Sequence, residues 1–293
     1  MKVLIVALDA HIRDSLVAQF QSRDREYDCV GLEWIDELLG NNTLPALPTN
    51  IGLVVNGLSL ECLELKTEET ILDHLQSLAT VCQQYAIPLL HLSNSQVFDG
   101  LGDGPRKEID DAAAVSEVGD LLCQMESKVR QICTQYIILR TGPIFSSIGD
   151  NLMTHLLRQF KQGETLELSN VGKSCPISSI DLARVISAMT DQLSCGSDAW
   201  GTYHYSSSDP ASSYHFAETV LAVASQYMEI FDRPLGLTAV EMDDASWTRP
   251  LLNCNVILNT FGIKQLPWRA FIVPTVKNYF EQELSNISEA GEK

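Results

Sequence analysis

Three small polar residues in a row, Ser93-Asn94-Ser95, follow the apolar run from Pro88 to Leu92. Their hydroxyl and amide groups can donate to, and accept from, a carbonyl or a sugar hydroxyl. At the carboxyl end of a parallel strand such groups stand where open α/β sheets bind ligands. Val97-Phe98, an Asp99-Gly100 turn and a loop carrying Gly102 and Gly104 come next. A second polar group lies late in the chain, at Arg249-Pro250 and Asn253. An arginine there can grip phosphate through its planar fork, or can be a surface residue ahead of a turn proline. His91 sits in an apolar strand and is expected to be a satisfied buried histidine. His204, beside Tyr203, is expected to be structural, and His11 to lie at the surface or in a loop without a partner.

Other chemistries lack their residues. There is no Gly-x-Ser-x-Gly elbow and no His-Glu-x-x-His pair. None of the eight cysteines forms Cys-x-x-Cys or stands beside a histidine at metal-ligand spacing, so no metal is expected. Several fall in apolar runs and read as small buried hydrophobes in a reduced, cytoplasmic setting. The net charge of −18, from 38 acids against 20 bases, argues against a nucleic-acid or anionic-membrane partner. No apolar run approaches the roughly 18 residues of a membrane span.

The elements that must position these groups alternate. Apolar runs at Lys2–Leu8, Tyr27–Leu32, Ile51–Val55, Pro88–Leu92 and Tyr136–Leu139 read as strands. Helical spacing fills His11–Gln21, Thr67–Tyr85 and Val115–Cys133 between them. Strand–helix alternation predicts right-handed βαβ units in a doubly wound parallel sheet. Beyond Gly142 the pattern is mixed. Helices are expected at Asn151–Lys161, Ser179–Leu193 (capped by Ser178 or Ser179), Tyr214–Phe231 and Trp268–Leu284, with a short strand at Leu235–Glu241.

Taken in order, these motifs resemble a known group. Ser93-Asn94-Ser95-Gln96-Val97-Phe98-Asp99-Gly100 resembles the Ser-Thr-Asp-Tyr-Val-Phe-Asp-Gly signature of dTDP-4-dehydrorhamnose reductases. These are extended short-chain dehydrogenase/reductases, and the regulatory β subunit of methionine adenosyltransferase is a relative. Val55-Asn56-Gly57, Leu139-Arg140-Thr141, Gly201-Thr202-Tyr203-His204 and Arg249-Pro250 with Asn253 are similar to further family motifs. The resemblance implies a Rossmann-like nucleotide-binding domain at 1–145. It also implies a smaller substrate lobe at 146–293, which returns some elements to the sheet.

The resemblance also marks what is missing. Ala7, Ala10 and Arg13 stand where the family has the glycines of its dinucleotide turn. Those glycines permit a tight turn, close approach to the pyrophosphate and close helix packing. Asp9 puts a negative charge where a pyrophosphate would lie, and Arg13 could pair with phosphate only by filling part of that space. The family's catalytic Tyr-x-x-x-Lys becomes Val118 and Leu122, with Gly119 holding the register. The lysine cation of that pair lowers the phenol's pKa so that it can act as an acid. Asn94 replaces the family's hydroxyl partner.

The expectation is therefore a non-catalytic member of the group. It would bind a small molecule or a partner protein in a regulatory or scaffolding role, with no cofactor. Ser93, Asn94, Ser95, Arg249 and Asn253 are the ligand-binding candidates. The alternative is an NAD(P)H-dependent reductase of a dTDP-4-dehydro sugar with an altered site, which would use NADP or NAD. A homodimer follows only by analogy.

Overall fold

Alternation along the first strand sets the architecture. In β1 (Lys2–Val6), Val3 and Ile5 enter one apolar core while Leu4 and Val6 enter another. A strand whose two faces are both buried belongs inside a sheet covered on both sides. The computed structural model describes residues 1–40, 50–58, 67–98, 104–163, 165–227, 236–242 and 247–291.

The first part of the chain runs β1, α1 (Ala10–Gln21), β2 (Tyr27–Val30), α2 (Leu32–Gly40), β3 (Ile51–Asn56), α3 (Glu68–Gln84), β4 (Leu89–Asn94), α4 (Glu117–Ile132) and β5 (Tyr136–Thr141). The second part continues with β6 (Ile144–Phe145), α5 (Leu152–Lys161), β7 (Leu166–Ser169), β8 (Ile177–Ser178), α6 (Ser179–Ser194) and β9 (Gly201–Tyr205). It closes with α7 (Ser213–Ala224), β10 (Leu237–Val240), α8 (Asn255–Phe261) and α9 (Ile272–Gly291).

Six strands pair in the order β2-β1-β3-β4-β5-β9, every pairing parallel. Residues of α1 and α6 share one core with this sheet, and residues of α2, α3 and α4 share the other. This is the expected Rossmann-like doubly wound sheet. The strand order reverses between β1 and β3, and a crevice opens at the carboxyl ends at such a point. The edge strand β9 and helix α6 come from the second half of the chain. A third core gathers Phe145, Phe160, Phe216, Trp247 and Trp268, with α5, α7 and α9 around it.

Most predicted elements keep their places. Helix α6 is capped by Ser178, whose hydroxyl accepts the Ile180 N–H. Three details differ. The second strand stops at Val30, and Leu32 already begins α2, a helix too short and mixed for periodicity to reveal. Helix α7 ends at Ala224 rather than Phe231, and residues 228–235 lie outside those described. The closing segment begins as a 3₁₀ turn at Trp268–Phe271 before α9. The expected Asp99-Gly100 turn and Gly102 also lie outside the described residues.

Helix α4 is locked to the segment after β4 by one glycine. A Cβ at Gly119 would stand 2.3 Å from the Gln96 carbonyl oxygen and 2.6 Å from the Ala114 Cβ. The register residue of the resemblance is thus fixed by close approach. About two turns further on, Glu126 is fully buried and faces the sheet. It accepts two bonds from Arg140 of β5, at 2.8 Å (Nε to Oε1) and 2.6 Å (Nη2 to Oε2). Ser93 Oγ donates to the same carboxylate at 2.7 Å, and Arg130 donates at 2.7 Å. Burial pushes the Glu126 carboxyl up, but the bonds and charge of Arg140, Ser93 and Arg130 outweigh it and hold the group below its ordinary value.

Arg140 also donates to His204 Nε2 at 3.3 Å, and His204 Nδ1 faces the Arg106 carbonyl at 3.1 Å. That arrangement requires a neutral imidazole carrying its proton on Nδ1. The expectation of a structural His204 fits this geometry. His91 departs from its expectation. Asn56 Nδ2 donates to its Nδ1 at 2.8 Å, yet its Nε2 has no hydrogen-bond partner, so this buried histidine is only half satisfied. Burial pushes both histidines down to about 4; Arg140's charge adds to this at His204.

Two outcomes follow from these contacts. Gly119→Ala should lower stability by about 1–3 kcal/mol in urea unfolding, because the added methyl meets backbone rather than a movable side chain. Between the ordinary histidine value of about 6.5 and about 4, the unfolded chain binds protons that folded His91 and His204 refuse. Stability should therefore fall as pH drops through that window, by on the order of 1 kcal/mol per histidine per pKa unit crossed. His91→Asn should flatten part of the slope in urea midpoints measured from pH 7 to 4.5.

Candidate functional site

The turn after β1 keeps the shape of a glycine turn with an alanine in it. Ala7 has φ 46°, in the left-handed region that costs an L-residue about 1–2 kcal/mol. Gly57, at the end of β3, backs onto the same turn. A Cβ there would stand 2.7 Å from the Leu8 Cα, so only glycine allows the approach. The chain then enters α1 with Asp9 as its N-cap residue. The Asp9 carbonyl accepts the Ile12 and Arg13 N–H groups at 3.0 and 2.8 Å, and its carboxylate makes no capping bond.

A cavity of about 240 Å³ lies at the carboxyl ends of β1, β3, β4 and β5. Its apolar wall is Leu8, Ile12, Leu92, Leu122 and Ile144. Its polar groups include Asp9, His11, Ser93, Asn94, Asp150 and Asn151. The last two come from the loop between β6 and α5. Asn151 caps α5, and the Asn151/Thr154 pair forms a reciprocal capping box. Ser146 Oγ in this loop donates to the His11 carbonyl at 3.2 Å. His11 is accordingly buried, not the surface or loop residue expected from the sequence. Burial pushes its imidazole down, with the charge of Asp9 opposing.

The sequence candidates divide. Ser93, Asn94 and Leu122 line the cavity together. The Ser93 hydroxyl is spent on Glu126, and Asn94 Oδ1 accepts the Gln96 N–H at 2.8 Å to cap the 3₁₀ turn Ser95–Val97. Ser95 is buried and does not line the cavity. Val118 and Leu122 lie one turn apart on α4, at the spacing that places side chains on one face. Only Leu122 reaches the cavity; Val118 packs against the core.

Arg249 and Asn253 lie elsewhere. The Arg249 N–H donates to the Lys173 carbonyl and its Nη1 to the Thr248 carbonyl, at 3.3 and 2.9 Å. The Asn253 N–H donates to the Arg106 carbonyl at 2.7 Å, and its Oδ1 accepts the Asn255 N–H at 3.0 Å. Neither lines the cavity. Asp150, Asn151, Thr141 and His11 were not foreseen; the Asn-x-x-Thr capping pattern was the one local signal for the loop that brings two of them.

A dinucleotide fits these residues poorly. The cavity is smaller than the roughly 300–1,000 Å³ usual for ligand clefts. Asp9 lines it at the α1 N-terminus, and no Lys or Arg lines it among the described residues. Arg13, which could have balanced the charge, pairs with Asp14 at 3.0 Å and does not line the cavity. Among the described residues no group of three or more His, Cys, Asp and Glu could hold a metal ion. No described helix is long and apolar enough to cross a membrane.

Known proteins place this geometry. The dTDP-4-dehydrorhamnose reductase of Sinorhizobium fredii is 29% identical over 204 residues, 67% of this chain and 68% of that one. The enzyme of the same name from Aggregatibacter actinomycetemcomitans is 27% identical over 200 residues, 66% and 68% of the two chains. A solved dTDP-4-dehydrorhamnose reductase from Clostridium acetobutylicum superposes with a TM-score of 0.76 at 18% identity, covering 94% of this chain and 99% of its own. One from Bacillus anthracis, solved in complex with NADP, also gives 0.76, at 15% identity and with 94% and 98% covered. At such identities the solved structures speak for the fold alone.

The relatives' names speak for reductases, and nothing in them supports the expected non-catalytic role. A family model described as the RmlD substrate binding domain matches residues 66–281. With the ordered motifs, the parallel sheet and that match together, the chain belongs to the dTDP-4-dehydrorhamnose reductase-like family.

Proposed function

We propose that this protein uses the family's cleft to bind a small molecule without the family's Tyr/Lys hydride chemistry. The observation that carries this reading is the α4 face. Val118 and Leu122 stand where a phenol and a cation would act as acid, and both are apolar. The cavity residues Asn94 and His11 do not replace them. Asn94 has no acid proton to give, and burial favours the neutral form of His11. Residues 146–293 act on this reading as the ligand lobe, since Asp150 and Asn151 come from them. A partner protein recognised through the same fold is the other form the binding role can take, and a homodimer follows only by analogy. The seven described cysteines are free, which supports a reduced, cytoplasmic setting.

The comparisons favour a second reading, an NAD(P)H-dependent reductase of a dTDP-4-dehydro sugar. The relatives quoted above are named as such reductases, and one neighbour holds NADP. That reading needs an acid other than Val118 and a cofactor grip other than a glycine turn. One assay separates the two. Purified protein is mixed with NADPH or NADH and dTDP-4-dehydrorhamnose, and loss of absorbance at the nicotinamide band is followed. Losing the general acid alone costs on the order of 10²- to 10⁴-fold. No protein-dependent oxidation is expected; turnover within about 100-fold of the Sinorhizobium relative would establish the reductase reading.

A further inference from the structure

Five branched aliphatic side chains meet around the cavity from five parts of the chain. They are Leu8 after β1, Ile12 on α1, Leu92 on β4, Leu122 on α4 and Ile144 on β6. The first four are buried and Ile144 is half-buried. All five belong to, or pack against, the core that the sheet shares with α1 and α6, so the cavity opens into that core. Side chains that face such a space lack dispersion partners on one side, and an apolar ring would supply them.

The polar residues of the same wall are engaged within the protein. The Ser93 hydroxyl donates to Glu126, and the Thr141 hydroxyl donates to the Ser93 carbonyl at 3.4 Å. Asn94 Oδ1 accepts the Gln96 N–H. Asn151 Oδ1 accepts the Met153 and Thr154 N–H groups, and its Nδ2 donates to the Ile148 carbonyl at 2.7 Å. Asp150 pairs with Arg158, and Asp9 acts on His11 electrostatically, neither of those two being without a partner. Asn94 Nδ2 and the hydroxyl lone pairs of Ser93 and Thr141 can still meet one polar substituent. A ligand with hydroxyls all round would leave most of them unpaired against the aliphatic wall, at a cost for each.

We propose that the cavity binds an uncharged, ring-bearing and largely apolar small molecule with one or two polar substituents, selected by the five aliphatic side chains. This rests on the binding role proposed above and names the chemical class of its ligand. The cavity, at about 240 Å³, suits one small ring system. Leu122 is central to the choice, because it sets an apolar surface where the resemblance implies a lysine.

The test uses two probes, indole and methyl glucoside, the second a ring that carries hydroxyls throughout. Each is titrated into the protein while the assigned methyl resonances of leucine and isoleucine are followed by NMR. Indole should saturate with a dissociation constant on the order of 0.1–1 mM, as small-ligand efficiencies imply. Its shifts should centre on the methyls of Leu8, Ile12, Leu92, Leu122 and Ile144. Methyl glucoside should bind at least about 10-fold more weakly, because its hydroxyls go unpaired. Ile144→Asn, at the half-buried position, should weaken indole about 10-fold by removing apolar contact, with a thermal melt confirming its fold.

No saturable indole binding up to its solubility overturns the proposal. So do shifts centred on other methyls, methyl glucoside binding as tightly as indole, or unchanged indole affinity in a folded Ile144→Asn. Where that variant fails to fold, the methyl map and the probe comparison on the wild type decide. The turnover assay is independent of this result. A protein that turns over substrate refutes the binding role, whereas a protein that prefers the glucoside keeps that role and loses only the apolar ligand class.

Discussion

The buried ion pair between Glu126 and Arg140 is the constraint around which the centre of the molecule is arranged. It joins α4 to β5 through two hydrogen bonds, takes the Ser93 hydroxyl from the end of β4, and reaches β9 through His204. Removing one partner from such a pair leaves an uncompensated buried charge and costs about 3–5 kcal/mol. Phe98 lies under the Arg140 guanidinium at 4.9 Å and meets His204 edge-on. The polar turn after β4 is thereby held from below, and Gly119 presses on the Gln96 carbonyl. Ser93 is a structural member of this network although it also borders the cavity.

That network holds the fold without drawing on the residues at positions 118 and 122. Positions 118, 122 and 126 follow one another by single turns on the same face of α4. The last is tied to Arg140 and keeps the helix in place; the first two are not part of that tie. Apolar residues at 118 and 122 add to the core and leave the scaffold unaltered. The turn at Ala7 shows the same independence, its backbone retaining a glycine conformation at some cost in strain. Shape and chemistry are thus set by different residues, which is why relatives named as reductases identify the family more firmly than they identify this protein's activity.

The sheet was legible because its signals are local. Five β-branched and leucine-rich runs alternate with helical spacing, and each became a parallel strand within a few residues of its expected bounds. Short elements such as β6, β8 and α8 carry too few residues for a period to show. The site was legible in part. Ser93 and Asn94 were placed by the strand end that precedes them, and Asp9 by the turn after β1. His11 was misread because its burial comes from Ser146 and Gly149, more than a hundred residues away. Arg249 and Asn253 were drawn toward the site by the motif, but their backbone groups are committed to Lys173 and Arg106.

The binding role proposed here has the family scaffold without a grip on a nicotinamide dinucleotide. The most direct measurement is a titration of the purified protein with NADPH and NADH, following nicotinamide fluorescence and thermal shift in the same samples. The account predicts no saturable signal and no shift in melting temperature up to millimolar cofactor. Saturation in the micromolar range, with a matching rise in melting temperature, would contradict it and return the Ala7 turn to service as a dinucleotide site.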